Sequence, residues 1–307
     1  MIASLARYFD FADHASWRDK LFVLLQYAVP QHMLSRAVGI LAECDIPMVK
    51  DTLIHHFIAH FDVDMNQAAQ MDYRQYRHFN DFFTRALADG QRPLANAPVI
   101  SPADGAISQA GSIEDGHLFQ AKGHRYTTLE LLGGDSELAQ RFDGGQFATV
   151  YLSPRDYHRV HMPVAGTLLR TVYIPGDLFS VNTVTADNVP RLFSRNERLV
   201  CIFDTPLGDM ALVLVGAMIV AGIETVWGGQ VCPRRRVIDT HDFTQPAPVI
   251  TLAQGEEMGR FKLGSTAIVL FRRDAAVQWN MQAGDAVRMG QAMVEAASAT
   301  DDAALAP

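Results

Sequence analysis

Three separate segments of this sequence carry side chains of the types that act together in nucleophilic catalysis. Asp104 lies in the turn-like run Ser101–Ser108, His158 and His161 share a polar loop that follows an apolar run, and Ser265 comes directly after Gly264. A serine hydroxyl becomes a nucleophile when a histidine removes its proton and a carboxylate orients that histidine. The residue types therefore predict a nucleophile, a base and an orienting acid, provided that folding brings them together.

The Gly264-Ser265 bond is itself a candidate reaction centre. A deprotonated Ser265 hydroxyl can attack the Gly264 carbonyl through a five-membered ring and convert the amide into an ester. Elimination then cuts the chain and leaves dehydroalanine, which hydrolyses to a pyruvoyl group at the new N-terminus. Such a ketone reacts with amines and withdraws electrons from them. Taken alone, the Gly-Ser-Thr triplet also fits an ordinary turn glycine followed by two hydroxyl residues of a strand.

A β-rich region must position these residues. Short apolar runs separated by Gly, Pro and Asp begin near Val99 and predict strands rather than helices. Brief helices are expected at 128–132 and 136–142. The clearest predicted strands are 148–152, 166–174, 199–203, 211–215 and 266–271.

Residues 1–92 are predicted to be helical, because apolar residues recur at steps of three and four. The predicted faces are Leu21, Leu24, Leu25 and Ala28 for a first helix, and Leu34, Val38 and Leu41 for a second. The sequence thus predicts an α+β protein with a helical region (1–92), a barrel-like or sandwich catalytic domain (93–297) and a mobile tail (298–307).

The helical region has no apolar run long enough to cross a bilayer, so no transmembrane helix is expected. Two roles remain open for it. An amphipathic hairpin can lie in the membrane interface, or the helices can cap the catalytic domain.

Composition excludes several classes of partner. The 307 residues have a formal net charge of −8, which argues against a nucleic-acid partner. Three widely spaced cysteines indicate a reducing compartment, and the N-terminus does not resemble a secretory signal, so a cytoplasmic protein is expected. His55, His56 and His60 lack a neighbouring zincin glutamate, and no metal site is predicted.

Several long blocks resemble the phosphatidylserine decarboxylases, in which a Leu-Gly-Ser-Thr motif is the processing site and its serine becomes the pyruvoyl group. Here that motif is Leu263 to Thr266. The other similar blocks occur in the family's order and cover most of the chain from Phe79 to about Phe271. They are 79–85, 101–108, 122–124, 151–166, 173–182, 196–198 and 259–266.

The resemblance implies specific roles. Asp104 orients His161, which takes the proton of Ser265 during cleavage between Gly264 and Ser265. His158 binds the substrate or protonates it after CO2 leaves. Less directly, Phe179, Ser180 and Asn182 line a head-group pocket, and Arg155 faces the lipid phosphate.

The same resemblance implies the cofactor and the partners. The cofactor is the pyruvoyl group made from Ser265, without metal or pyridoxal phosphate. The product is phosphatidylethanolamine, formed on the cytoplasmic face of the membrane by a peripheral enzyme. Two chains cut from one precursor remain together, and the resemblance favours a homodimer.

Three other functions are compatible with parts of the sequence. One is a pyruvoyl decarboxylase of a soluble amino acid. Another is a serine hydrolase, which the absence of the flanking glycines of a nucleophile elbow disfavours. The third is a non-catalytic membrane-associated β domain, which would not cut itself.

Overall fold

The computed structural model describes residues 15–121, 123–218, 222–232, 237–244, 249–262 and 265–294, and of Ser265 it describes the backbone alone. Leu263 and Gly264 lie outside these residues, as does the tail predicted for 298–307. The helices are α1 (Trp17–Ala28), α2 (Gln31–Ala42), α3 (Pro47–Phe61), α4 (Phe79–Phe83), α5 (Thr128–Leu131), α6 (Ser136–Arg141), α7 (Thr183–Asn188) and α8 (Leu192–Arg195). Short 3-10 turns occupy Met65–Gln67, Tyr73–Gln75 and Arg273–Ala275.

Within the described residues, the strands that follow the N-terminal helices make three sheets. They are β1 (Gly105–Ser112), β2 (His117–Phe119), β3 (Arg125–Thr127), β4 (Gln146–Leu152), β5 (Arg159–His161), β6 (Gly166–Ile174), β7 (Arg198–Thr205), β8 (Gly208–Val215), β9 (Gly222–Thr225), β10 (Gly229–Cys232), β11 (Asp239–Asp242), β12 (Thr251–Leu252), β13 (Glu257–Lys262), β14 (Ser265–Phe271) and β15 (Ala286–Val287). All five strands predicted from the sequence are present.

The large sheet has the order β11-β6-β7-β8-β14-β4-β1-β15, with β12 paired to β6, and its ladders are antiparallel. A smaller sheet has the order β10-β9-β13-β5, and β2 pairs with β3. The path of the large sheet is open. The architecture is therefore α+β and sandwich-like. Of the two predicted alternatives, the sandwich is confirmed and the closed barrel is not.

Both faces of the large sheet are buried. Along β14, Ala267, Val269 and Phe271 belong to the core shared with the smaller sheet. Ile268 and Leu270 belong to a second core, formed with helices α5 to α8. Because each side chain of such a strand meets apolar neighbours, its sequence is continuously apolar rather than alternating.

The N-terminal helices pack around a third core, which includes Ile54, Phe79, Phe82 and Phe83. Within the described residues no helix is both long and apolar enough to span a bilayer. The predicted faces of the first two helices were wrong: α1 buries Val23 and Gln26, and α2 buries Ser35 and Ala42. Many large apolar side chains of these helices are instead exposed, namely Trp17, Phe22, Leu25, Met33, Leu34, Ile40, Leu41, Ile46 and Met48.

Candidate active site

Two of the three predicted catalytic segments meet at one end of the large sheet. Ala106 of β1 and Thr266 of β14 both pair with Tyr151, so β1 and β14 flank β4 on either side. Asp104 immediately precedes β1, and Ser265 begins β14. Only β4 separates them, which corresponds to two strand spacings or about 10 Å.

The third segment lies in the smaller sheet, directly beside this end. The backbone N–H of His161 donates to the carbonyl of Pro102 at 2.8 Å, which ties β5 to the turn that carries Asp104. The N–H of Phe261 donates to the carbonyl of His158 at 3.0 Å, near the end of β13 that leads to Ser265. Strand β13 of the smaller sheet ends at Lys262 and β14 of the large sheet begins at Ser265, so the predicted cleavage site falls between the ends of these two strands in the sequence.

His161 is oriented by a backbone carbonyl. Its Nδ1 lies 2.8 Å from the carbonyl oxygen of Gly255, and its Nε2 lies 3.0 Å from the hydroxyl of Tyr157. A carbonyl oxygen only accepts, so Nδ1 carries the proton and Nε2 of the neutral ring accepts from Tyr157. Burial lowers the pKa of His161, which keeps the ring neutral near pH 7.

Asp104 makes a different contact from the expected one. Its carboxylate accepts from Nε and Nη2 of Arg92 and from the backbone N–H of Met289, rather than from His161. The hydrogen bond to Asp104 and its charge raise the pKa of Arg92. The negative charge of Asp104 is near enough to oppose the lowering of the His161 pKa. In this arrangement Asp104 influences His161 through space, while Gly255 orients the ring.

His158 is the most enclosed titratable group of the site. It is 0 % exposed, and its Nδ1 lies 2.8 Å from the carbonyl oxygen of Asp156, which fixes the proton on Nδ1. Its Nε2 is buried without a hydrogen-bond partner among the described residues. Burial lowers the pKa of His158 to about 3. His158 therefore presents a free lone pair on a neutral ring.

The predicted head-group residues already have structural contacts. Phe179 is 2 % exposed and packs against Tyr27, with 4.8 Å between ring centroids. The Ser180 hydroxyl donates to Oε1 of Gln26 at 3.1 Å. The Asn182 side chain caps α7 by accepting from Thr185 N–H. Their role in binding a head group stays a prediction.

An apolar cavity of about 470 Å³ leads from the N-terminal helices to this end of the sheet. Leu41 of α2 and Phe57 of α3 line one side of it, while Phe83, Pro154 and Met218 line the other. Met218 N–H donates to the carbonyl of Phe179 at 3.3 Å, and Pro154 follows β4 by two residues. The cavity thus offers a lipid-like environment beside the start of β14.

Sequence reasoning missed Arg85, Arg92, Tyr157 and Gly255 as members of the site. The first two stand in the conspicuous segment Phe79–Pro93, and Tyr157 stands directly before the first candidate histidine, His158. Their positions marked them as neighbours of the chemistry. Their contacts depend on how distant segments pair, which spacing along the chain does not encode.

Much of the sequence is shared with known proteins. The family model described as phosphatidylserine decarboxylase matches residues 79–295, and a second, described as PSD, matches residues 21–62. The chain is 60 % identical over 282 residues to the phosphatidylserine decarboxylase proenzyme of Pseudomonas fluorescens strain Pf-5, covering 90 % of this chain and 97 % of that protein. It is 58 % identical over 285 residues to the proenzyme of the same name from Stutzerimonas stutzeri, covering 91 % and 96 % of the two chains.

Proposed function

This chain belongs to the phosphatidylserine decarboxylase family, and from that premise we propose how its own residues carry out the reaction. It is an enzyme that removes CO2 from the serine head group of phosphatidylserine and yields phosphatidylethanolamine. It is made as a proenzyme. The observation that carries the residue-level proposal is the convergence of Asp104, the two histidines and the start of β14 at one end of the large sheet.

The first step is self-cleavage between Gly264 and Ser265. We assign the base to His161, whose Nε2 is the ring nitrogen with a lone pair. The Tyr157 hydroxyl already donates a hydrogen bond to that nitrogen. The Ser265 hydroxyl must therefore displace the Tyr157 hydroxyl or pass its proton through it. The Asp104 charge stabilises the imidazolium that forms, because opposite charges favour the protonated ring.

The pyruvoyl group proposed to arise from Ser265 supplies an electrophilic carbonyl that receives electrons when CO2 leaves. The surroundings of Ser265 fit such a group. The carbonyl of His158 accepts a hydrogen bond from the N–H of Phe261, which lies four residues before Ser265. Nε2 of the same histidine is buried and has no hydrogen-bond partner in the described part of the chain. Neutral His158 can accept a hydrogen bond from the incoming ammonium group. Because its pKa is low, a proton transferred along that bond is held only transiently and is passed to the α-carbon after decarboxylation.

The enzyme is proposed to work at a membrane surface, on the cytoplasmic side. Helices α1 and α2 expose large apolar side chains, including Trp17, Met33 and Ile40, which are 69 %, 70 % and 77 % exposed. Insertion of such side chains into the interface stabilises peripheral binding. Cys44 and Cys201 form no disulfide, as is usual in a reducing compartment.

We further propose a homodimer. Next to edge strand β11, Val237 and Ile238 are 59 % and 52 % exposed. Apolar side chains exposed beside a strand at the end of the sheet order are a favourable surface for a second copy of the chain. Sedimentation of the purified enzyme tests this, and a Val237→Lys, Ile238→Lys variant should then sediment as a monomer.

The substrate assignment is tested by measuring CO2 release from detergent-dispersed phosphatidylserine and from free serine with the same preparation. We expect CO2 release from the lipid alone, because free serine has no acyl chain that could fill the apolar cavity. Equal turnover of free serine would favour the soluble-substrate alternative.

A further inference from the structure

A second carboxylate, that of Glu257, lies beside the candidate base on the smaller sheet. Glu257 of β13 and His161 of β5 are direct partners in an antiparallel ladder. The Cβ atoms of such partners are about 4.5–5.5 Å apart, and their side chains stand on the same face of the sheet. The Glu257 side chain is 19 % exposed and His161 is 8 % exposed. This carboxylate is therefore a close and poorly solvated neighbour of the imidazole.

Two arginines hold Glu257 in place. Nη1 of Arg159 donates to Oε2 of Glu257 at 2.8 Å, and Nη2 of Arg260 lies 2.6 Å from Oε1. The contact with Arg260 is an ion pair without hydrogen-bond geometry. Arg159 comes two residues before His161 on β5, so these two side chains stand on the same face of the sheet. Two positive charges and one negative charge thus lie on this side of the imidazole.

The other groups that face His161 come from three further segments. The Tyr157 hydroxyl and the Gly255 carbonyl are the hydrogen-bond partners of its two ring nitrogens. Asp104, in the turn before β1, is near the ring and is itself paired with Arg92. The ring is therefore held by neutral partners, and its charge balance depends on acids that are not bonded to it.

The base must become positively charged when it takes the proton of Ser265. Burial opposes this change and lowers the pKa of His161, and the charge of Arg159 acts in the same direction. The charge of Glu257 raises the pKa of His161, and its effect exceeds that of Asp104. Removal of Glu257 would leave two guanidinium groups without the acid that joins them. Both would then disfavour the imidazolium.

We propose that Glu257 is a positioning residue for self-cleavage. It acts through His161, because it offsets the charges of the two neighbouring arginines. The proton leaves the Ser265 hydroxyl for Nε2 of His161 and returns to the Ser265 nitrogen when the ester replaces the amide. This assignment rests on the proposed self-cleavage, whereas the effect of Glu257 on the proton affinity of His161 is measurable without it.

NMR titration of the Ser265→Ala precursor measures the pKa of His161 in the full chain without cleavage. The His161 resonance is assigned by its loss in a His161→Gln variant. Glu257→Gln should lower this pKa by about one pH unit, because a neighbouring negative charge is removed. Arg159→Gln should raise it, because a neighbouring positive charge is removed. Glu137→Gln, which replaces an 83 % exposed acid of α6, is the control and should leave the pKa unchanged.

The rate of self-cleavage is followed in the Ser265 precursor, made in a short pulse of cell-free synthesis and transferred to each pH. The rate falls in acid, because protonated His161 is no longer a base. Glu257→Gln should move this acid limb to lower pH, and its rate near neutral pH should fall by about threefold or more because the ring is a weaker base. Arg159→Gln should move the acid limb to higher pH. A merely structural ion pair would change Tm in both variants without moving the limb in opposite directions.

The proposal is overturned if Glu257→Gln leaves both the pKa of His161 and the acid limb at the wild-type values. It is also overturned if Glu257→Gln and Arg159→Gln move them in the same direction. Should Glu257→Gln fail to fold, Arg159→Gln carries the test, and a pKa that does not rise refutes the proposal. A wild type that stays uncut would contradict the proposed function, whereas a wild type and a Glu257→Gln variant that cut themselves equally fast would contradict this proposal alone.

Discussion

The ring of Phe83 lies against the imidazole of His158, with 4.0 Å between their centroids. Phe83 is also a wall of the apolar cavity, so one aromatic ring separates the lipid-like space from the candidate proton carrier. Because this contact excludes water, it helps to keep His158 neutral, in line with its pKa of about 3.

Replacing Phe83 should therefore change the proton affinity of His158. Phe83→Ala opens the packing, costs about 3–5 kcal/mol of stability, and lets water reach the imidazole, so the pKa of His158 should rise toward its ordinary value. Phe83→Leu keeps an apolar cover and should shift it less. Histidine resonances followed by NMR across a pH titration measure both values. Identical values in the two variants would contradict a shielding role.

Acid sensitivity should depend on His158. Its folded pKa is lowered, so below the unfolded value near 6.5 the unfolded chain binds a proton that the native chain does not, and stability falls as pH falls toward 3. The loss approaches about 1.4 kcal/mol for each pH unit. His158→Gln should thus lose less stability than the wild type between about pH 6 and pH 5 in urea unfolding.

His161 contributes a loss of the same sign, and Asp156, whose pKa is raised, contributes the opposite sign, so a residual slope is expected. His60→Gln replaces an exposed histidine and serves as the control. If the pH dependence of His158→Gln runs parallel to that of the wild type, the buried neutral state is wrong.

Processing should depend on Ser265. The purified wild type should run as two polypeptides on a denaturing gel, covering 1–264 and 265–307, with the smaller one blocked at its N-terminus. Ser265→Ala removes the hydroxyl and should give one band without decarboxylation. Mass spectrometry of active enzyme that finds an intact chain with an ordinary serine would refute the pyruvoyl mechanism.

Variants of the Arg92–Asp104 ion pair distinguish an effect on stability from an effect on processing. Each partner is almost completely buried, so Asp104→Asn alone or Arg92→Gln alone leaves an unpaired charge and should cost about 3–5 kcal/mol. The double variant removes both charges and should recover much of that stability. It should still process slowly, since the charge that favours protonated His161 is absent. Normal processing by the double variant would remove Asp104 from the mechanism.

Gln26 should couple the N-terminal helices to the 177–182 loop. Its Oε1 accepts from the N–H of Ser180 at 2.8 Å and from its hydroxyl. Gln26→Ala leaves these donors without that acceptor, at a cost of about 1–3 kcal/mol, and should raise KM for dispersed phosphatidylserine several-fold without slowing self-cleavage. Gln140→Ala, an exposed glutamine of α6, is the control. An unchanged KM would show that the loop does not contribute to lipid binding.

The central strands were predictable because burial on both faces leaves a continuous apolar run, as in β8 and β14. The face that α1 buries could not be predicted in this way. Gln26 is buried because it bonds the loop at Ser180, a contact between residues 154 positions apart, whereas apolar Leu25 is 53 % exposed. Helices α7 and α8 were missed, because one or two turns are too short for a periodic signal.

In the candidate site too, some residues were predictable from the sequence and their partners were not. Asp104, His158 and His161 were found by residue type and by family resemblance, and the described backbone brings their segments to one end of the sheet. The partners of those side chains were not found. Arg92 bonds Asp104 across 12 residues, and the Gly255 carbonyl bonds His161 across 94 residues. Local sequence patterns contain no information about such distant contacts.

The position of β14 between β4 and β8 decides what becomes of the shorter product of processing. Along β14 that peptide would form backbone hydrogen bonds to β4 on one side and to β8 on the other. Its side chains would stay packed in the two apolar cores on the faces of the sheet. It cannot diffuse away unless the whole sandwich opens. If Ser265 becomes the proposed pyruvoyl group, these strand pairings keep its carbonyl at the start of β14, although no covalent bond joins it to the longer fragment.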